Sequence, residues 1–143
     1  MRLFATLAAL LCASGTAGAQ ETVFPFRLGY NVPACDEIDS GVEFKNCLGE
    51  AYESADRKLN SVYQAALDRL RSEESGLPER RQIRVDALRE AQRAWVAYRD
   101  SDCEGSYGEE LWGGAYRGIY VIACHGEKTR LRTAELRSRF LEE

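Results

Sequence analysis

The chain has 143 residues, with 19 Lys plus Arg, 23 Asp plus Glu and a single His, for a formal net charge of −4. That length suits one modest domain, and one histidine excludes catalysis by a histidine pair. The acidic balance argues against nucleic acid or an anionic membrane as partner and favours a cationic one.

Residues 1–19 run from the basic Arg2 through the apolar stretch Leu3 to Leu11 to the small residues Ala17-Gly18-Ala19, the pattern of a cleavable secretory signal. The apolar run is far shorter than the ~20 residues needed to cross a bilayer, and no second one follows. Cleavage after Ala19 leaves 124 residues, with 18 basic and 23 acidic groups and a net charge of −5. A chain of that length buries roughly two thirds of its unfolded surface and needs no metal for its core. Cys12 leaves with the signal; Leu10-Leu11 before it are not the small residues that lipid attachment requires. The even set Cys35, Cys47, Cys103 and Cys124 remains, which in an oxidising, periplasmic or secreted setting reads as two disulfides. Zinc ligands come in closer pairs than spacings of 12 and 21 provide, so no metal or other cofactor is expected.

Residues 20–43 are punctuated by Pro25, Gly29, Pro33 and Gly41 and read as an irregular arm. From Phe44 the apolar positions Leu48, Ala51, Tyr52, Ala55, Leu59, Val62, Tyr63, Ala66 and Leu70 recur every three or four residues, predicting a long helix that ends near Ser72. Gly76 and Pro78 make a turn, since glycine suits the position after a helix end and proline the first turn of the next helix. Ile83, Leu88, Ala91, Trp95 and Tyr98 then predict a second helix up to Cys103. Its arginines, Arg80, Arg81, Arg84, Arg89 and Arg93, alternate with Glu79, Asp86 and Glu90, as on a solvated face and not a phosphate-binding stripe. Four glycines from Gly105 to Gly114 predict a loop. Ala115 to Phe140 is helical again, through Tyr116, Ile119, Tyr120, Ala123, Leu131 and Leu136, with Gly126 expected to interrupt it and Thr129 to cap the restart. The chain thus divides into a signal peptide (1–19), an arm (20–43) and a helical domain (44–143). The expected fold is all-α: a disulfide-stapled antiparallel helical hairpin with a third, packed C-terminal helix.

With the turn centred near Ser75, Cys47 and Cys103 lie 28 residues to either side of it. Equal rises of about 1.5 Å per residue bring them to the same level, which leans toward Cys47–Cys103 with Cys35–Cys124. The rival pairing, Cys35–Cys47 with Cys103–Cys124, closes shorter loops and stays open. The same register sets Asp56 and Asn60 opposite Gln92, Trp95 and Arg99, a polar cluster inside the seam. An Asp–Arg pair with amide support that fixes helix register accounts for these residues better than a catalytic acid, because no second reactive group accompanies Asp56.

In the loop, Tyr107, Glu109, Glu110 and Trp112 stand among glycines. An aromatic anchor and two anions on an adaptable backbone suit protein recognition; the alternative is that Trp112 packs under the loop and the glutamates are only solvated. His125, beside Cys124, reads as incidental, since a Cys–His nucleophile needs a free thiol. No two carboxylates are singled out as a glycosidase pair, so no catalytic residue is assigned.

The segments Ala55-Asp56-Arg57-Lys58-Leu59-Asn60-Ser61-Val62-Tyr63 and Leu88-Arg89-Glu90-Ala91-Gln92-Arg93-Ala94-Trp95-Val96-Ala97-Tyr98-Arg99-Asp100-Ser101-Asp102-Cys103 resemble the LprI-like lysozyme inhibitor family. Together with Cys47, Gly113-Gly114, Cys124 and the stretch from Thr129 to Leu136, the resemblance spans Cys35 to Leu136. It implies a small, exported, helical bacterial protein with paired cysteines, some of whose relatives inhibit lysozyme. The family tends to be apolar after its last cysteine, where this chain has His125-Gly126-Glu127-Lys128. The expected function is therefore to bind and occlude the cleft of a lysozyme-type muramidase, a cationic partner. An envelope interaction or immunity protein that binds a different cationic protein is the alternative.

Overall fold

A computed structural model of the protein describes residues 32–73, 77–106 and 116–142. Three helices, α1 (Gly41–Ser72), α2 (Pro78–Ser101) and α3 (Arg117–Phe140), follow a short 3₁₀ turn at Pro33–Cys35. A π-helical turn, Asp102–Ser106, extends α2. The described residues contain no strand.

The first helix starts three residues before the expected Phe44. Ser40 caps it, its hydroxyl accepting from the Glu43 amide at 3.4 Å, and Ser40 and Glu43 have the spacing of a capping box. Leu48, Leu59, Val62, Ala66, Leu67 and Leu70 form its buried stripe. At its far end the Arg81 guanidinium donates to the Glu73 carbonyl at 2.7 Å, and Arg84 pairs with the Glu73 carboxylate, so α2 satisfies the chain leaving α1. Pro78 opens α2, where its missing amide costs nothing.

The buried face of α2 differs from the expected one. Val85, Leu88, Gln92 and Arg99 are buried, whereas Ile83 and Tyr98 are exposed at 66% and 56% and Ala91 faces solvent. The seam follows the interval that carries Gln92 and Arg99, because their polar groups find partners across it. In α3 the expected break at Gly126 is absent: the helix is continuous, and His125, Gly126 and Thr129 are buried within it. Thr129 therefore caps nothing. Packing outweighs the roughly 1 kcal/mol that an interior glycine costs relative to alanine.

Two apolar clusters sit at opposite ends of the three helices. One, near the α1–α2 turn, joins Leu59, Val62, Ala66, Leu67 and Leu70 to Val85, Leu88 and Leu136. The other, at the open end, joins Cys35, Leu48, Ile119 and Ala123, with Val32, Ile38 and Phe44 against them. Burial of a leucine such as Leu48 or Leu59 contributes about 1.5–3 kcal/mol. The most extensive helix contact is between α1 and α3, which run parallel: Tyr52 meets His125 at one end, and Leu70 and Phe140 line one cleft at the other. The hairpin partner α2 packs less extensively against α1, with Gln92, Trp95 and Arg99 in its seam.

The disulfides are Cys35–Cys47 and Cys103–Cys124, with Cα separations of 5.9 and 5.6 Å. This overturns the pairing favoured by hairpin register. Equal arms fix the level of two cysteines but not their direction around the helix. Cys47 points to the folded-back arm, and the π-helical turn aims Cys103 at α3. Peptide mapping of the oxidised protein should recover these two pairs and no Cys47–Cys103 peptide. Joint replacement of Cys103 and Cys124 by serine should lower the unfolding free energy in urea by about 3 kcal/mol, the loop entropy expected for a 21-residue separation.

Candidate functional site

Between the two apolar clusters lies a polar belt organised by Arg99, which is 7% exposed. Its guanidinium donates to Asp100 at 2.8 Å from Nε, and from Nη1 to Asp56 on α1 at 3.4 Å and Thr129 on α3 at 3.3 Å. The guanidinium carbon lies 5.2 Å from the Trp95 ring centre and 5.8 Å from that of Tyr52. One side chain of α2 thus bonds to both other helices. Asn60 donates to the second Asp56 oxygen at 3.0 Å and orients it.

A second buried arginine, Arg132, repeats the arrangement one step toward the turn. Its Nε donates to Gln92 at 3.1 Å and its Nη1 to Glu135 at 2.8 Å, with Trp95 5.9 Å away. Asp56, Asn60 and Arg99, grouped from the sequence, are therefore directly bonded. Gln92 is joined to Arg132 instead, with Trp95 between the two arginines. Arg132 and Thr129 were missed because the sequence places a helix break and a cap there. Their signal is the seven-residue interval through His125, Thr129, Arg132 and Leu136, one face of an uninterrupted helix.

Beside the belt, Tyr52, Arg99, Asp100, Glu104, Val121, Ile122 and His125 line a cleft of about 350 Å³. His125 is 7% exposed, and neither ring nitrogen has a hydrogen-bond partner. Nδ1 stands 3.7 Å from Asp100, and Nε2 stands 3.7 Å from Glu104. Burial, reinforced by the Arg99 charge and opposed by Asp100 and Glu104, holds its pKa below the ordinary 6.5. Burial likewise raises the Tyr52 hydroxyl, with Arg99 acting against that shift. On the outer side Lys128 bonds Asp102 at 2.9 Å and the Tyr98 hydroxyl at 3.0 Å. Its burial lowers the pKa, but these two bonds outweigh that and raise it.

Tyr107, Glu109, Glu110 and Trp112 lie outside the described residues. The arginine face of α2 is paired: Arg89 with Asp86 at 3.0 Å, Arg93 with Glu90 at 3.7 Å, and Arg84 with Glu73. Among the described residues no group of three or more His, Cys, Asp or Glu is placed to hold a metal ion, and no helix is long and apolar enough to cross a membrane.

Fold and site define a small three-helix protein, stapled twice at one end and tied through its middle by buried arginines. A family model described as lysozyme inhibitor LprI matches residues 34–136, and the chain belongs to that family. It is 34% identical over 134 residues to an uncharacterized protein of Rhizobium meliloti (strain 1021), an alignment covering 92% of this chain and 89% of that relative. No solved structure matches it.

Arg99→Ala should destabilise the protein by about 3 kcal/mol, because it removes the bonds to both other helices, leaves the buried Thr129 hydroxyl without that donor and empties the space between Trp95 and Tyr52. Asp56→Ala should cost only about 1 kcal/mol, since Asp56 is partly solvated and Asp100 and Thr129 still hold the guanidinium. Urea melts at neutral pH measure both. Because the folded pKa of His125 lies below its unfolded value, the unfolded chain binds that proton more readily. Its contribution is complete above about pH 6.5 and declines as pH falls toward the folded value. Melts between pH 7.5 and 5.5 should show that loss, and His125→Gln should flatten it.

Proposed function

We propose that this protein is an exported inhibitor that binds a lysozyme-type muramidase and occludes its cleft, acting by binding and not by chemistry. The observation that carries the proposal is the family match, which takes in both disulfides, α1, α2 and most of α3. The two disulfides and the N-terminal signal pattern support a place outside the cytoplasm, periplasmic or secreted.

Charge is distributed in keeping with a cationic partner. Asp36, Glu37, Asp39, Glu43, Asp102 and Glu104 gather at the open end, where α1 begins and α2 finishes. At the other end Arg80, Arg81, Arg84, Arg137 and Arg139 are interspersed with Glu73, Glu79, Asp86 and Glu142, so no comparable acidic excess exists there among the described residues. A cationic enzyme with a carboxylate-lined groove would be steered to the acidic end. The Cys103–Cys124 bond fixes the described segments that precede and follow Tyr107, Glu109, Glu110 and Trp112 in the sequence, which supports these four as the docking residues. In this proposal Trp112 is the aromatic wedge that enters the groove, and the two glutamates meet the cationic surface around it.

Clearing of a bacterial cell-wall suspension by lysozyme should slow in proportion to added protein, and the protein alone should clear nothing. Inhibition should weaken at least about tenfold when Trp112→Ala is combined with Glu109→Gln and Glu110→Gln in a chain that keeps its fold. Full inhibition by that variant would remove the loop from the interface. Binding without any effect on clearing would favour an envelope protein directed at a different cationic partner.

A further inference from the structure

Resting on the proposed function for the partner's identity, we propose that the cleft bounded by Tyr52, Asp100, Glu104 and His125 receives one cationic side chain, lysine or arginine, of the bound protein. The cleft is about 350 Å³, enough for one long side chain. Its feature without a structural explanation is His125, buried yet with both ring nitrogens unbonded. A buried polar group without a partner costs about 1–3 kcal/mol, so an imidazole kept in this state points to a ligand. A neutral imidazole offers one acceptor nitrogen and one N–H. The carboxylates nearest the two nitrogens stand at 3.7 Å, beyond hydrogen-bond reach but near enough to share an inserted donor.

The other lining groups select the sign of the ligand. Arg99 reaches the cleft, but its donors are engaged by Asp56, Asp100 and Thr129. What remains toward the cleft is the acceptor set of Glu104 and the His125 nitrogen, with Asp100 beside them already accepting from Arg99 through one oxygen. Val121 and Ile122 supply an apolar wall for an alkyl stem. An ammonium or guanidinium would form charge-assisted bonds to the carboxylates and donate to the imidazole. An anion would meet the Glu104 carboxylate and an Arg99 already paired with Asp100 and Asp56. The groups facing His125 are Tyr52 on α1, Arg99 and Asp100 on α2 and Glu104 on the π-helical turn, with Asp56 behind Tyr52 and Arg99. Protonating the imidazole removes its acceptor and adds a like charge, so occupancy falls in acid.

His125 is the chain's only histidine, so its ring gives a unique nuclear magnetic resonance signal. The oxidised protein is titrated with ethylguanidinium, n-butylammonium, acetate and n-butanol. Both cations should shift the His125 ring nitrogens saturably and lower the pH at which the ring titrates; acetate and butanol should not. Glu104→Gln, at an exposed position, should leave the near-ultraviolet circular dichroism unchanged and weaken both cations about tenfold. It should weaken lysozyme by a similar factor. A response to acetate in place of the cations, or wild-type cation affinity in Glu104→Gln, overturns the proposal. If lysozyme binds both proteins equally and the cations leave His125 unmoved, the cleft assignment falls while the inhibitor function stands. If the cations bind and lysozyme does not, the cleft stands and its partner is another cationic protein.

Discussion

Three helices of this length, one of them poor in apolar residues, are held in register by buried guanidinium groups, Arg99 above all. Arg99 leaves α2 and bonds to Asp56 of α1 and Thr129 of α3. Its planar group presents donors in fixed directions, so it specifies where each partner must sit, which a leucine in that place would not. Desolvation of the charge opposes folding, and the arrangement is stable only because Asp100, Asp56 and Thr129 answer it together while Trp95 and Tyr52 lie against it. The apolar clusters on either side do the bulk of the stabilising; the arginine decides which packing they adopt.

That division of labour explains what could be read in the amino-acid order. The first helix was legible almost residue by residue, because Leu48, Leu59, Val62, Ala66 and Leu70 are both apolar and buried. The second was legible as a helix but not in its orientation. A search for apolar periodicity selects Ile83 and Tyr98, while the seam is set by Val85, Gln92 and Arg99. Polar residues that pair across a seam carry the helical interval as surely as leucines, yet hydropathy does not register them. Likewise Gly126 and Thr129 have the chemistry of a break and a cap, and only contact with α1 and α2 keeps them inside a helix. Periodicity misses the start of α1: it begins the helix at Phe44, while the capping spacing of Ser40 and Glu43, which marks the true terminus, lies in the stretch assigned to the arm.

The candidate site divides in the same way. Asp56, Asn60 and Arg99 emerged from register alone, since antiparallel helices joined at a known turn bring known levels together. His125 did not, because its position depends on α3 running parallel to α1, and no local pattern encodes which long helix a third one follows. The disulfides failed for a related reason. Level along a helix can be counted in residues, whereas azimuth around it depends on how α2 ends, here in a π-helical turn that carries Cys103 toward Cys124.

Stapling and tie together place rigidity where docking on the proposed surface would need it. Both disulfides lie at the open end, with the Arg99 belt directly beneath them and Lys128 bracketing Tyr98 and Asp102 across α2 and α3. Ordering this end during folding removes freedom that a partner would otherwise have to remove on binding, and association then keeps more of its contact energy. The opposite end, where the chain itself joins α1 to α2, carries neither disulfide; it is closed by Glu73, Arg81 and Arg84, whose bonds the solvent can replace. Concentrating both disulfides at one end, beside the acidic rim and an imidazole without a partner, makes sense when that end meets another molecule.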